Sequence, residues 1–112
     1  IPIHPYAIVT ANASLCARDQ NKFLALHDLF YERQEYINEA AVYSFATDAQ
    51  LDLSQFNTCL AQKKYQSMIV KDISDAEILG VQGTPTWFVN GEKFEGAIPF
   101  ETFTEIIDKK LQ

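Results

Sequence analysis

Residues 83–96 read GTPTWFVNGEKFEG. Thr86, Trp87, Phe88 and Val89 are β-branched or aromatic, the types that suit a pleated strand. Asn90-Gly91 comes next, and both residues accept the positive φ of a type I′ turn. A second strand is predicted over 93–95. Pro85 is the odd member. It cannot donate a ladder hydrogen bond, so a proline belongs at the end or edge of a sheet. Trp87, Phe88 and Val89 are consecutive, and strand side chains alternate between faces, so this run is apolar on both faces. A two-stranded hairpin is marginal alone. The run therefore predicts a central strand with neighbours on each side. The hairpin supplies one neighbour, and the extended segment Ile1-Pro2-Ile3 is the candidate for another.

Upstream of this stretch the texture is helical. Two prolines, Pro2 and Pro5, hold the residues before them out of the α region. A first helix is expected from about 6 to 17, with Ile8, Ala11 and Leu15 near helical spacing. Asn21 is placed to cap a second, running to about 32, with Phe23, Leu26, Leu29 and Phe30 inward. Asn38 is placed to cap a third carrying Ala41, Val42 and Phe45. Asp52 and Gln55 match a capping box before Phe56, Cys59 and Leu60. A longer helix is predicted over 64–79 with an inner face of Tyr65, Met68, Ile69, Ile73, Ala76 and Leu79. Gly80 suits the left-handed residue that ends it. Downstream of the hairpin, Pro99 fits the first turn of a last helix. Phe100, Phe103, Ile106, Ile107 and Leu111 form its apolar face, and Lys109 and Lys110 complement the negative end of its dipole.

The 112 residues suffice for one domain. Nine basic and fifteen acidic residues give a net charge of −6, which disfavours nucleic-acid binding. No apolar run reaches the ~18–20 residues of a membrane span. Residues 1–15 lack the basic leader and apolar core of a signal peptide, which a mature exported protein would have shed. His4 and His27 have no partner at metal spacing, so neither a metal site nor a cofactor is expected. Tyr31, Tyr36, Tyr43 and Tyr65 are expected as core or rim residues, and Trp87 as a packing residue.

Two cysteines, Cys16 and Cys59, stand 43 positions apart. With no CxxC, neither a zinc knuckle nor a local redox pair can be built. One intramolecular disulfide or two buried thiols both fit the spacing. A disulfide would close a loop worth on the order of 4 kcal/mol in the chain-entropy model.

The run Gly80-Val-Gln-Gly-Thr-Pro-Thr-Trp-Phe-Val-Asn-Gly91, then Phe94-Glu-Gly96 and an amphipathic helix, resembles the C-terminal half of a thioredoxin-like domain. His4-Pro-Tyr-Ala7, Cys16-Ala17, Lys22-Phe23, His27-Asp-Leu-Phe30, Leu53 and Cys59-Leu60 are similar to stretches of the DsbA-like thiol-disulfide oxidoreductases, which insert helices before the hairpin. The resemblance covers essentially the whole chain. It implies an α/β thioredoxin-like fold of DsbA type, helix-rich with a small residual sheet. The organisation it implies is a short strand over 1–5, a helical insertion over 6–80, and a cis-proline hairpin with a C-terminal helix over 81–112.

The resemblance also implies that Thr84–Pro85 is cis and contacts an extended substrate segment, and that Cys16 and Cys59 form a structural disulfide. The family's CxxC lies upstream of the segment matching Ile1-Pro2-Ile3. The expectation is thus an N-terminally truncated domain with no catalytic residue of its own, redox-inactive alone. Its parent would act on protein or peptide thiols and disulfides outside the cytoplasm, in a bacterial periplasm or cell envelope. The alternative is a non-catalytic thioredoxin-like binding module. An unpaired sheet edge further predicts pairing with a second copy, or an unstable monomer.

Overall fold

A computed structural model describes residues 4–112. Among them are six α-helices and one hairpin: α1 (Ala7–Arg18), α2 (Phe23–Glu32), α3 (Glu39–Asp48), α4 (Leu53–Ala61), α5 (Gln66–Ile78), β1 (Thr86–Val89), β2 (Glu92–Glu95) and α6 (Phe100–Lys110). A single 3-10 turn, Gln34–Tyr36, links α2 to α3. The chain forms two compact units, Ile1–Ser74 and Asp75–Gln112, and the division falls within α5. The strand expected over 1–5 lies largely outside the described residues. His4 and Pro5, which are described, are not in a strand.

The first unit is a helical block around one core. Ala13, Cys16 and Ala17 come from α1, Leu26 and Phe30 from α2, Val42, Phe45 and Ala46 from α3, and Phe56 and Cys59 from α4. Phe56, Leu26 and Val42 are fully buried. Ala13 and Ala17 have no side chain beyond Cβ, so the other helices approach the α1 backbone closely. The disulfide expected from the resemblance is present: Cys16 and Cys59 are bonded with Cα atoms 5.9 Å apart, fastening α1 to α4.

Helix starts obey local chemistry in two places. The Asn38 side chain accepts from the Ala41 N–H at 2.8 Å, and Asp52 accepts from the Gln55 N–H at 3.1 Å. The return arm of the capping box comes from elsewhere. Gln20, not Gln55, accepts the Asp52 N–H at 2.7 Å, and its amide donates to the Asp52 carbonyl at 3.1 Å. Asn21 does not cap α2; Lys22 precedes that helix. Asn21 instead has φ +58° and sits in the turn that closes α1, where the Lys22 N–H reaches the Ala17 carbonyl at 2.9 Å. Asparagine serves at helix starts and in left-handed turns alike, and here the turn geometry wins.

Two expected faces differ from the structure. Of the predicted inner face of α5 only Ile69 is buried; Met68, Ile73 and Leu79 are exposed. Tyr31, Tyr36 and Tyr43 are also exposed, although the Tyr43 ring meets core Phe56 edge-on, and Tyr65 is partly buried against the core. Helical spacing identifies a stripe but does not supply the surface that covers it.

In the second unit, α5 ends in a full Schellman turn. Gly80 has φ +74°, its N–H bonds the Glu77 carbonyl at 3.0 Å, and the Val81 N–H bonds the Ala76 carbonyl at 2.9 Å. The hairpin pairs antiparallel, Thr86 with Glu95, Trp87 with Phe94, Phe88 with Lys93 and Val89 with Glu92. Asn90 and Gly91 have φ +50° and +83°, the signs a type I′ turn requires. The described sheet has two strands, so Trp87-Phe88-Val89 is not a central strand among the described residues. Trp87 and Phe88 are 42% and 41% exposed. One face is covered: the Trp87 ring meets Phe103 of α6 edge-on at 4.8 Å, and the Lys110 ammonium bonds Glu92 at 2.6 Å. Pro99 stands just before α6 as its N-cap rather than within the first turn.

Candidate functional site

The predicted site residues fall into two pairs, one in each unit. Thr84 and Pro85 lie at the entry to β1, and the peptide bond between them is cis. Hydrogen bonds on either side of the turn tie it to the hairpin. The Pro85 carbonyl accepts the Gly96 N–H at 2.8 Å. The Thr86 hydroxyl donates to the Gly83 carbonyl at 2.6 Å, and the Trp87 indole N–H donates to the Gly96 carbonyl at 3.1 Å. Gly83, Thr84 and Pro85 are exposed. Within this unit the Thr84 N–H and C=O have no hydrogen-bond partner among the described residues. A Cβ placed on Gly83, just before the turn, would meet nothing within 4 Å. An exposed backbone donor and acceptor on one residue beside a strand are what an added extended segment can pair with.

Cys16 and Cys59 lie in the helical block and leave no free thiol among the described residues. Both line a polar groove of about 380 Å³ walled by Asp19, Gln20, Ser54, Thr58, Gln62 and Lys64. Asp19 organises one side. It accepts from the Lys64 ammonium at 2.8 Å and from the Tyr65 hydroxyl. The Arg18 guanidinium and the Lys64 ammonium each lie 5.3 Å from the centre of the Tyr65 ring. The Lys64 hydrogen bond, and then that of Tyr65, hold the Asp19 carboxyl below its ordinary pKa. The Asp19 hydrogen bond raises the Lys64 ammonium above its own. The sequence reasoning missed this cluster. Its signal appears only once the disulfide is drawn, because Asp19 comes one helical turn after Cys16 and Lys64 comes after Cys59, just past the end of α4.

A second groove, about 690 Å³, runs along α1 and α2 and is lined by His4, Tyr6, Thr10, His27, Phe30 and Tyr31 among others. The two histidines, unrelated in the sequence, share this groove. His27 lies between Phe23, centroid 5.6 Å away, and Tyr31, at 4.8 Å, with its Nδ1 3.1 Å from Asp28. Among the described residues, no group of three or more His, Cys, Asp or Glu could hold a metal ion.

Comparison with known proteins places this geometry. A family model described as Thioredoxin matches residues 2–109. A solved thioredoxin-like oxidoreductase from Silicibacter pomeroyi DSS-3 superposes with a TM-score of 0.72 at 24% identity, over 92% of this chain and 60% of that one. The fold is thus thioredoxin-like, helix-rich with a small antiparallel sheet. Similar sequences also occur in proteins named Na(+)/H(+) antiporter NhaA. The one named NhaA 1 from Salinispora arenicola is 35% identical over 94% of this chain, and one from Herminiimonas arsenicoxydans is 27% identical over 96%. The chain spans only 16% and 17% of those relatives' lengths. Among the described residues, no helix is long and apolar enough to cross a membrane.

Proposed function

This chain belongs to the thioredoxin family, and from that premise we propose that it is the substrate-docking part of a DsbA-like protein thiol-disulfide oxidoreductase. The observation that carries the proposal is Thr84, exposed at the entry to β1 beside a cis peptide, its N–H and C=O without a hydrogen-bond partner among the described residues. An extended peptide would add to that edge through main-chain hydrogen bonds, which tolerate many sequences. Exchange itself needs a thiolate attacking a disulfide, and a low thiol pKa is set by a helix N-terminus or a nearby cation. The chain's two cysteines are bonded to each other, so the reacting pair would lie outside these residues. The parent enzyme would work outside the cytoplasm, in a periplasm or cell envelope, on protein or peptide thiols and disulfides. Cys16–Cys59 would brace its helical insertion.

Two measurements test this. An unfolded cysteine-containing peptide, titrated against the chain and monitored by amide chemical shifts, is expected to perturb Gly83, Thr84 and Thr86. Shifts confined to the helical block would sink the docking role. Incubation with a reduced protein substrate and oxidant is expected to give no acceleration of disulfide formation. Turnover comparable to a thioredoxin-like oxidase would overturn the inactivity of the isolated chain.

One observation favours a second reading, in which the chain is a non-catalytic interaction module of a larger membrane protein. Its similar sequences include short portions of long chains named as antiporters. The segment adjoining Ile1 in the intact protein discriminates. A strand and then a CxxC support exchange chemistry, and an unrelated linker supports the module. In either case the bare hairpin edge would pair with a second copy when nothing else covers it. Sedimentation showing a stable monomer at high concentration argues against that pairing.

A further inference from the structure

We propose that the Cys16–Cys59 disulfide is a reductively addressable site, opened in the folded protein by small dithiols that enter its polar groove and attack Cys59. The site is independent of the role given to Thr84 and Pro85. Most disulfides that brace a core are reached only when the core opens. Here both cysteines line one groove, whose other lining residues, Asp19, Gln20, Ser54, Thr58, Gln62 and Lys64 among them, are polar. A polar approach admits a thiolate that an apolar one would exclude. The two sulfurs are not equivalent. Both residues are largely buried, Cys59 at 8% exposed and Cys16 at 2%, and the less buried Cys59 is the sulfur assigned to the incoming thiolate, with Cys16 leaving.

The step balances without any further reactant. A thiolate of the dithiol attacks Cys59 Sγ, the Sγ–Sγ bond breaks, and Cys16 departs as thiolate and takes a proton from water. The dithiol's second sulfur then attacks the first, a cyclic disulfide leaves, and Cys59 is released as a thiol. Two electrons and two protons pass from the dithiol to the cystine. The product has lost the covalent link between α1 and α4, which makes the brace responsive to the surrounding thiol pool.

Charge at the groove gives the proposal a signature. The Lys64 ammonium is paired with Asp19 at 2.8 Å, and the Arg18 guanidinium also acts on that carboxylate. Lys64→Gln makes the groove wall one charge more negative toward an anionic nucleophile, and Asp19→Asn makes it one charge more positive. Attack through the groove is therefore slowed by the first substitution and accelerated by the second. At the strength of a part-exposed ion pair each change is about two- to fivefold. Reduction that waits for unfolding behaves otherwise, because both substitutions break the same ion pair and accelerate it alike.

The experiment tracks reduction of the native protein by dithiothreitol, quenched with iodoacetamide and read by intact mass. The expected results are a rate proportional to dithiothreitol concentration, and opposite displacements for Lys64→Gln and Asp19→Asn. A rate independent of dithiothreitol, or displacement of both variants in one direction, overturns the proposal. Peptide mapping after treatment with 2-mercaptoethanol identifies the attacked sulfur. The adduct is expected on Cys59 with the alkyl group on Cys16, and the reverse pattern overturns the assignment.

Discussion

The two units of this chain are built to different standards of burial. The helical block closes around Phe56, Leu26 and Val42 and carries a cross-link besides. Residues 75–112 contain no buried residue at all, and hold their shape through a Schellman turn, a type I′ turn, the Trp87–Phe103 pair and ion pairs including Lys93–Glu95 and Lys110–Glu92. Apolar burial is the dominant favourable term in folding. The first unit is thus held by its core, whereas the second is held mainly by local geometry. Its exposed Phe88, Phe100, Ile107 and Leu111 are surface in search of cover.

Substitutions can break or sharpen that contrast. The largest effect is expected for Phe56→Ala, which empties the centre of the helical block and should cost about 3–5 kcal/mol in denaturant unfolding. A small loss there would mean the core collapses around the cavity, and the contrast would weaken. Replacing both cysteines by alanine should cost up to about 4 kcal/mol, because the cross-link closes a 43-residue loop in the unfolded chain. In the second unit, Trp87→Ala removes the Phe103 contact and the bond to the Gly96 carbonyl. A loss of about 1–2 kcal/mol is expected. It should be read as faster amide exchange in β1 and β2 with the Leu26 and Phe56 amides unchanged. Equal acceleration in both units would show that they unfold together. Asn38→Ala should cost about 1 kcal/mol by orphaning the Ala41 N–H, visible as a lower thermal midpoint.

The smallest effect is electrostatic. The depressed Asp19 carboxyl contributes stability that is fully present above its ordinary value of 3.8 and lost as pH falls through its lower folded value. The raised Lys64 contributes below its ordinary 10.5 and loses that contribution as pH rises through its higher folded value. The difference in thermal midpoint between the protein and its Asp19→Asn variant should therefore be flat through neutrality and shrink in acid, and again in strong base where Lys64 deprotonates. A difference that vanished near neutral pH would point to a different titrating group.

Local signals were the legible ones. Asn38, Asp52, Gly80 and the Asn90-Gly91 turn each act on backbone atoms a few residues away, so the sequence around them suffices. Asn21 failed for the same reason: side chains of its type satisfy two local geometries, and the choice depends on how α1 closes. The α5 stripe was read as an inner face and Trp87-Phe88-Val89 as a central strand, and both stand largely exposed, because cover is a long-range property. At the candidate site, the Thr84–Pro85 turn was found through resemblance. The Asp19–Lys64–Tyr65 cluster was not, because 45 residues separate Asp19 from Lys64 and the tertiary packing of α1 on α4 brings them together.

The pairing of Gln20 with Asp52 has a consequence for how motion in the helical block can be watched. The Asp52 amide proton is held by a side chain, at 2.7 Å, where a helix or sheet would use a carbonyl of the backbone. Its exchange with solvent then requires only that Gln20 change rotamer, not that any helix open. A slow Asp52 amide would report a locked glutamine, and a fast one beside slow Phe56 would report a side chain swinging free over an intact core. That single proton is a built-in gauge of surface order at the turn after α1.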